Sequence, residues 1–346
     1  MSDSQAFVAL VLAAGQGKRM KSQLPKVLHP LLGRPMLSYP VDAAFTAGAE
    51  RVVCVVGHGA ERVTSMLRER YADRVLTALQ PEQRGTGDAA RCGQAALPTW
   101  NGWIAIIYGD SVLITPRAIA ALVDEARSHS GPLAMLTSTL DDPTGYGRIV
   151  RDDAGRAVRV QEERDCSPAE RAIKEWNPGV YVVRAGFLRE AVERLKPTNA
   201  QGELYLTDLV AMAAQSGGAA SLHWEASDLF GINDRHELVQ RERDLARRIA
   251  VEHMARGVTI RDPERARIEP SVHIEQDVVI ESGVELRGDT TIARGARIDV
   301  GCVLMDTIVQ EDAEVLPYTV ANESVIGPAS RVGPFSHLRP GSELGR

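Results

Sequence analysis

The stretch LAAGQGKRMKSQLPKVL, Leu12 to Leu28, sets a glycine turn and separated cations directly after the apolar run Phe7 to Leu12. That run has the length and composition of a buried strand, and Gly15 and Gly17 then allow the backbone to turn sharply and expose its N–H groups. Successive N–H groups of this kind form a concavity that binds anions. Arg19 can fork onto two phosphate oxygens, while Lys26, after Pro25, brings a compact charge from a second direction. Together they suit a triphosphate. Met20 stands where a dinucleotide fingerprint needs its third glycine, and a Walker A loop is absent. On these residues alone, a plain strand-to-helix turn with solvated basic side chains remains the alternative.

Working outward, the 346 residues exceed one typical domain, and 44% hydrophobic residues supply a sizeable core. Two domains are expected. A net charge of −6 argues against a general binder of nucleic acid or anionic membrane, because either needs a dominant positive field. No apolar run is long enough to span a bilayer, and Met1 to Gln5 is polar, so a cytoplasmic protein is expected. Cys54, Cys92, Cys166 and Cys302 lie far apart and suggest neither a disulfide framework nor a zinc site.

From Phe7 to about Ile232, strand-like runs alternate with helical spacing. The runs Phe7 to Leu12, Arg51 to Val56, Trp103 to Tyr108 and Leu133 to Thr139 read as strands, and Met36 to Ala47, Ala60 to Arg70 and Pro116 to His129 as helices. This predicts an α/β, doubly wound, Rossmann-like domain with a mostly parallel sheet and its ligand beyond the carboxyl ends of the strands. Asn233 to Arg256, charged and free of Gly and Pro, predicts one helix. Leu238, Leu245 and Ile249 could form a stripe, but a mostly solvated spacer is the expectation. Beyond Gly257, Ile274, Ile280, Leu286, Ile292, Ile298 and Leu304 recur every sixth residue. A second track from Val272 through Val278, Val284, Thr290, Ala296 and Cys302 runs two positions ahead. Such tracks describe a parallel β-helix. After an interruption near Asp306 to Pro317, the spacing resumes at Val320, Ile326, Val332, Leu338 and Leu344. The chain stops at Arg346 in mid-repeat, from which a tail cut short within the repeats is expected.

Several motifs carry chemistry. Ile106 to Ile114 runs an apolar strand into Tyr108, Gly109 and Asp110, and a carboxylate at a strand end is a good seat for Mg²⁺, which takes few protein oxygens besides water and phosphate. A turn residue capping the next helix is the alternative for Asp110. LQPEQRGTGDA, Leu79 to Ala89, holds Gln80 and Gln83, whose amides offer both donor and acceptor to a pyrimidine edge. Gly85 and Thr86 also read as a flexible turn. In DDPTGYGRI, Asp141 to Ile149, Gly147 would let backbone approach a ligand closely. Glu162 can accept hydrogen bonds from hydroxyls, though its run through Glu163, Arg164 and Asp165 also reads as a solvated face. Asn177 can donate to or accept from a polar ligand group, and Asn233 also reads as a helix N-cap. Thr207, in YLTD, could merely start a helix.

Leu12 to Leu28 resembles the L-A-A-G-x-G-T-R-M…P-K signature of the sugar-1-phosphate nucleotidyltransferases. The extension LPKVLHPLLGRPML, with QRGTG and DPTGYGRI, resembles the family of bacterial bifunctional uridyltransferase/acetyltransferases that make UDP-N-acetylglucosamine, a cell-wall precursor. The resemblance implies a uridyltransferase domain over 1–235, a linker helix over 236–256 and a partial left-handed β-helix over 257–346. It implies UTP and N-acetylglucosamine 1-phosphate as substrates, Mg²⁺ on Asp110 and Asn233, and a homotrimer built through the β-helix. Arg19 and Lys26 take the catalytic role. The backbone from Leu12 and Ala13 through Ala14 and Gly15 follows the nucleotide with Gln80, Gln83, Gly85, Thr86, Tyr108 and Gly109, while Gly147, Glu162 and Asn177 form the sugar side. Arg339 matches an arginine of the acetyl site, whose histidine and acetyl-CoA chemistry belong to the full-length enzyme, so loss of acetyl transfer is expected here. Lys18, Ser111-Val112, Arg164 and Pro178 depart from the family's Thr, Val-Pro, Lys and Thr or Ser. Two rivals remain: an enzyme for glucose or mannose 1-phosphate, and a non-catalytic regulatory subunit of the same build.

Overall fold

The structure, a computed structural model, describes residues 6–345, so the polar start Met1 to Gln5 and the terminal Arg346 lie outside the described residues. The chain divides into two compact units, residues 1–29 with 35–235, and residues 30–34 with 236–346.

Along the chain the strands are β1 (Phe7–Ala13), the short β2 (Pro30–Leu31) and β3 (Arg34–Pro35), then β4 (Val52–Val56), β5 (Val75–Leu79), β6 (Trp103–Tyr108) and β7 (Leu133–Thr139). They are followed by β8 (Gly147–Arg151), β9 (Ala157–Gln161), β10 (Glu175–Asn177), β11 (Tyr181–Arg184) and β12 (Ala219–His223). The helices are α1 (Ser38–Thr46), α2 (Ala60–Tyr71), α3 (Thr86–Ala95), α4 (Pro116–Ser128), α5 (Pro168–Arg171), α6 (Ala185–Val192) and α7 (Asp208–Ala214).

Strand β1 shows why helices cover both faces. All seven of its residues are buried. Phe7, Ala9, Val11 and Ala13 join one apolar cluster with Val41 of α1, Leu67 of α2 and Leu122 of α4. Val8, Leu10 and Leu12 join another, with Ala90 of α3, Leu188 of α6 and Leu209 of α7. Alternating side chains point to opposite faces of a strand, so an unbroken apolar run needs a layer on each side.

The sheet runs β5-β4-β1-β6-β11-β7-β10-β8-β9, with β12 beside β7. Strands β5, β4, β1 and β6 are parallel. The expectation of a mostly parallel sheet fails beyond them. Strand β11 lies antiparallel between β6 and β7, and β10, β8 and β9 continue antiparallel. The chain makes the excursion β8-β9-β10 at the sheet edge and re-enters through β11 without a crossover helix, which reverses its direction. Strand order turns back between β1 and β6, and a crevice opens at such a switch point.

The second unit contains three sheets of five short strands each, all parallel. Both tracks point inward: Val278, Ile280, Val284, Leu286, Thr290, Ile292, Cys302 and Leu304 are fully buried. The interruption expected over Asp306 to Pro317 is not one, because Ile308–Val309 and Glu314–Val315 continue the ladders. Glu285 pairs with Val303, eighteen residues on, whereas Val303 pairs with Val320, seventeen on. A corner has lost one residue, and since corners lie outside the ladder the strands keep their register. The inward residue of that rung is therefore Ala321, 1% exposed, while Val320 is 39% exposed and faces out. Corners also admit left-handed backbone at Asp277, Asp306 and Asp312.

Helix α8 (Arg235–Ala255) precedes these coils. It is not a solvated spacer: Leu245, Ala246, Ile249, Ala250 and His253 are buried along one stripe, while Leu238 is only partly so.

Candidate functional site

Strand β1 ends at Ala13, and the backbone then turns through Gly17, at φ +60°, into a short 3₁₀ turn, Lys18–Met20, pinned by buried Met20. A Cβ placed on Gly17 would lie 2.6 Å from the Cβ of Lys26. The loop therefore passes directly over the second 3₁₀ turn, Lys26–Leu28, and only a glycine fits. Lys26 donates from Nζ to Oδ2 of Asp110. Asp110 lies just past β6, where the Gly109 N–H donates to the Leu12 carbonyl (2.9 Å) and ties the ends of β6 and β1 together. Arg19 donates to Oδ1 of Asn233 at 2.8 Å. Gly231 lies beside Asp110, since a Cβ there would be 3.4 Å from its Oδ1. Thus Asp110 and the 231–233 segment, distant in sequence, share one corner. A carboxylate and an amide oxygen, each drawing a cationic side chain, are hard donors suited to a divalent metal that also takes water and phosphate oxygens. The residues fit that group. Among the described residues no larger cluster of His, Cys, Asp and Glu gathers.

A cleft of about 300 Å³ opens beside this corner. Leu12, Ala13, Ala14 and Gly15 line it together with Lys26, Asp110, Tyr108, Thr86, Gly85, Gln80 and Gln83. Thr86 Oγ1 accepts from the Leu206 N–H (3.1 Å), and Gln83 Oε1 accepts from Gln16 (2.8 Å). Gln80 donates both to Oδ2 of Asp88 (2.9 Å) and to the Gly85 carbonyl (3.1 Å). Gln16, Val27, Ala89 and Glu203 also line the cleft without a sequence signal that singles them out.

Gly147, Glu162 and Asn177 form a second group. Gly147 pairs with Asn177 across β8 and β10, and a Cβ on Gly147 would lie 3.6 Å from Oε2 of Glu162. Asn177 Oδ1 accepts from the Gly179 N–H (3.1 Å), closing the turn through Pro178. Gly179 in turn lies flat against the ring of Tyr108, which joins this group to the cleft. Burial raises the Glu162 pKa above the ordinary carboxylate value, partly opposed by a hydrogen bond from Thr207 (2.9 Å). Burial also pushes the Tyr108 phenol up. Thr207 does precede α7, but its side chain does not cap that helix and reaches Glu162 instead. Glu163 is no bystander on a solvated face: it pairs with buried Arg148 at 2.8 Å, while Arg164 is exposed. In the other unit, Arg339 is exposed, with its carbonyl accepting from Ser324 and Ser342. No described helix is long and apolar enough to cross a membrane.

The arrangement can bind a polyphosphate at the loop, hold a base in the cleft and set a second phosphate-bearing substrate beyond Tyr108. Known proteins resemble this chain. The model of the MobA-like NTP transferase domain matches residues 9–207. "Bifunctional protein GlmU" of Sorangium cellulosum is 52% identical over 98% of this chain and 72% of its own length. The proteins of that name from Anaeromyxobacter dehalogenans and Geobacter sulfurreducens are 43% and 40% identical, again over 98% of the chain, covering 70% and 75% of their own lengths.

Proposed function

Since the chain belongs to the family of bifunctional GlmU proteins and is a nucleotidyltransferase, we propose that it joins UTP to N-acetylglucosamine 1-phosphate, giving UDP-N-acetylglucosamine and pyrophosphate. The observation that carries this reading is the meeting of Lys26 and Asp110 in a cleft also lined by the amides of Gln80 and Gln83. A phosphate oxygen of the sugar phosphate attacks the α-phosphorus of UTP in line. The new P–O bond forms as the bond to the bridging oxygen breaks, and pyrophosphate leaves with the electron pair. No dedicated base is required, because a phosphate monoester has a second pKa of about 6 and is already largely ionised at neutral pH. What remains is positioning and charge stabilisation. Lys26 and Arg19 stabilise charge on the phosphates, the Gly15 to Gly17 backbone cradles the departing end, and Gln80 and Thr86 hold the base. Gly147, Glu162 and Asn177 orient the sugar. Asp110 and Asn233 would hold Mg²⁺, which when bound supplies Lewis-acid neutralisation of the phosphate oxygens.

Residues 1–235 carry this chemistry in the proposal, 236–256 link, and 257–346 assemble the chain as a homotrimer through the β-helix. Acetyl transfer to glucosamine 1-phosphate is the second activity of the bifunctional family. A panel of nucleoside triphosphates against N-acetylglucosamine, glucose and mannose 1-phosphates, read as pyrophosphate release with and without Mg²⁺, tests the reading. Preference for UTP with the amino sugar and loss of turnover in Asp110→Ala are expected. A stronger response to another sugar phosphate would overturn it.

A further inference from the structure

Gln80 lines the cleft, yet which end of its amide meets the base is decided behind it, by a residue outside the cleft. Both protons of its NH₂ are engaged, one by Oδ2 of Asp88 (2.9 Å) and the other by the Gly85 carbonyl (3.1 Å). Both partners can only accept. Turning the amide over would set Oε1 against a carboxylate and a carbonyl, leaving three acceptors facing one another with no proton between them. The amide is therefore held in one orientation, and Oε1 is the polar atom that remains for the cleft. Asp88 is itself held: it is 2% exposed, sits in the first turn of α3, and its Oδ1 accepts from Arg91 at 2.5 Å. An acidic side chain is favoured at that end of a helix.

We propose that Asp88 is a specificity-positioning residue: by fixing Gln80 with its carbonyl oxygen toward the base, it selects pyrimidines with a ring N–H and rejects cytosine. Uracil presents N3–H, a donor, to that oxygen. Cytosine presents a bare N3 lone pair, so two acceptors would face each other in a largely desolvated wall. A site built to hydrogen-bond one partner discriminates strongly against an analogue that leaves its polar group unpaired. Thymine carries the same N3–H, and Asp88 draws no distinction between uracil and thymine. The proposal deepens the assignment of UTP made above and rests on it.

The test measures kcat/KM for UTP, CTP and dTTP in wild type, D88N and D88T. With Arg91 holding the side-chain oxygen at Oδ1, the amide introduced by D88N presents its NH₂ to Gln80 and donates to Oε1 of the turned-over amide, offsetting the opposition of the Gly85 carbonyl, whereas D88T removes the carboxylate and leaves that carbonyl as the remaining constraint. D88N is expected to lower the UTP-to-CTP ratio by roughly tenfold or more, the scale of one unpaired buried polar group. The UTP-to-dTTP ratio and the KM for the sugar phosphate stay within about twofold, which damage to the fold would not spare. In a Q80A background D88N changes the UTP-to-CTP ratio by less than about twofold, because its effect passes through Gln80. Folded D88N and D88T that both keep the wild-type ratio overturn the proposal. Should neither fold, calorimetry on wild type with N3-methyluridine triphosphate decides: binding roughly tenfold or more weaker than UTP supports the assignment, and equal binding overturns it. Wild type that uses UTP and CTP equally overturns the Asp88 assignment and leaves nucleotidyl transfer standing. Wild type that releases no pyrophosphate with UTP overturns the reading of the reaction, and the calorimetric comparison still decides the orientation of Gln80.

Discussion

Gly17→Ala isolates the geometry that sets Lys26. Two effects follow from the structure. The residue sits at φ +60°, where a side chain costs about 1–2 kcal/mol, and the added methyl would lie 2.6 Å from the Lys26 Cβ, well inside van der Waals contact. In a unit of some two hundred residues, each kcal/mol lowers Tm by about 2–4 °C, so the strain alone predicts a fall of about 2–8 °C. Relief of the contact moves the Lys26 backbone by roughly half an ångström to one ångström, and displacement on that scale can cost about a hundredfold in rate. The assay pairs thermal melting with pyrophosphate release at saturating substrates, and Gly15→Ala serves as the stability control because its Cβ would meet nothing within 4 Å. A Gly17→Ala protein with wild-type Tm and kcat within twofold would refute the claim that the loop's passage over Lys26 positions the cation.

The other predictions concern charge and pH. Lys26→Ala removes the cation that pairs with Asp110 and should raise the barrier by about 3 kcal/mol, on the scale of one preorganised electrostatic donor. Near-normal turnover would remove its assigned role. Because burial raises the Glu162 pKa, this carboxylate takes up its proton at a higher pH than an ordinary glutamate and loses an acceptor for the sugar. The KM for the sugar phosphate should therefore climb on mild acidification while that for UTP stays flat. Glu162→Gln, measured over the same range, cancels the substrate's own titration; parallel profiles in both proteins would contradict the assignment. Burial lowers the pKa of His253 below 6.5, so the folded chain keeps it neutral while the unfolded chain gains a proton. Its contribution to stability is whole above pH 6.5 and is lost as pH falls through that value, at no more than about 1.4 kcal/mol per pH unit. Denaturant melts of His253→Leu should show a shallower loss between pH 7.5 and 5.5, and identical slopes would disprove it.

How legible the molecule was depends on the range of the interaction. Strands over Trp103–Tyr108 and Leu133–Thr139 and a helix from Pro116 follow from local spacing, because burial on one or two faces dictates the period. The sixfold tracks of the second unit are likewise local, and the register at Ala321 escaped them because the shortened corner puts inward Val309 five positions after Leu304, while outward Val320, six before Ile326, supplies an apolar residue on the unbroken spacing. The stripe of α8 at Leu245 and Ile249 was visible, but whether anything covered it was not. The antiparallel entry of β11 was hidden as well, since the period of a strand carries no direction.

By itself the sequence determined the element types, the two-part build, the glycine turn after β1 and the family, because each is written in neighbours along the chain. Tertiary structure alone decided the site's contacts: Lys26 reaches Asp110 across 84 residues, Arg19 reaches Asn233 across 214, and Thr207 reaches Glu162 across 45. It also decided which way Gln80 faces. A side chain's type states what it can donate or accept, but its orientation is settled by the partners that strand order brings against it, and those partners are remote in the chain.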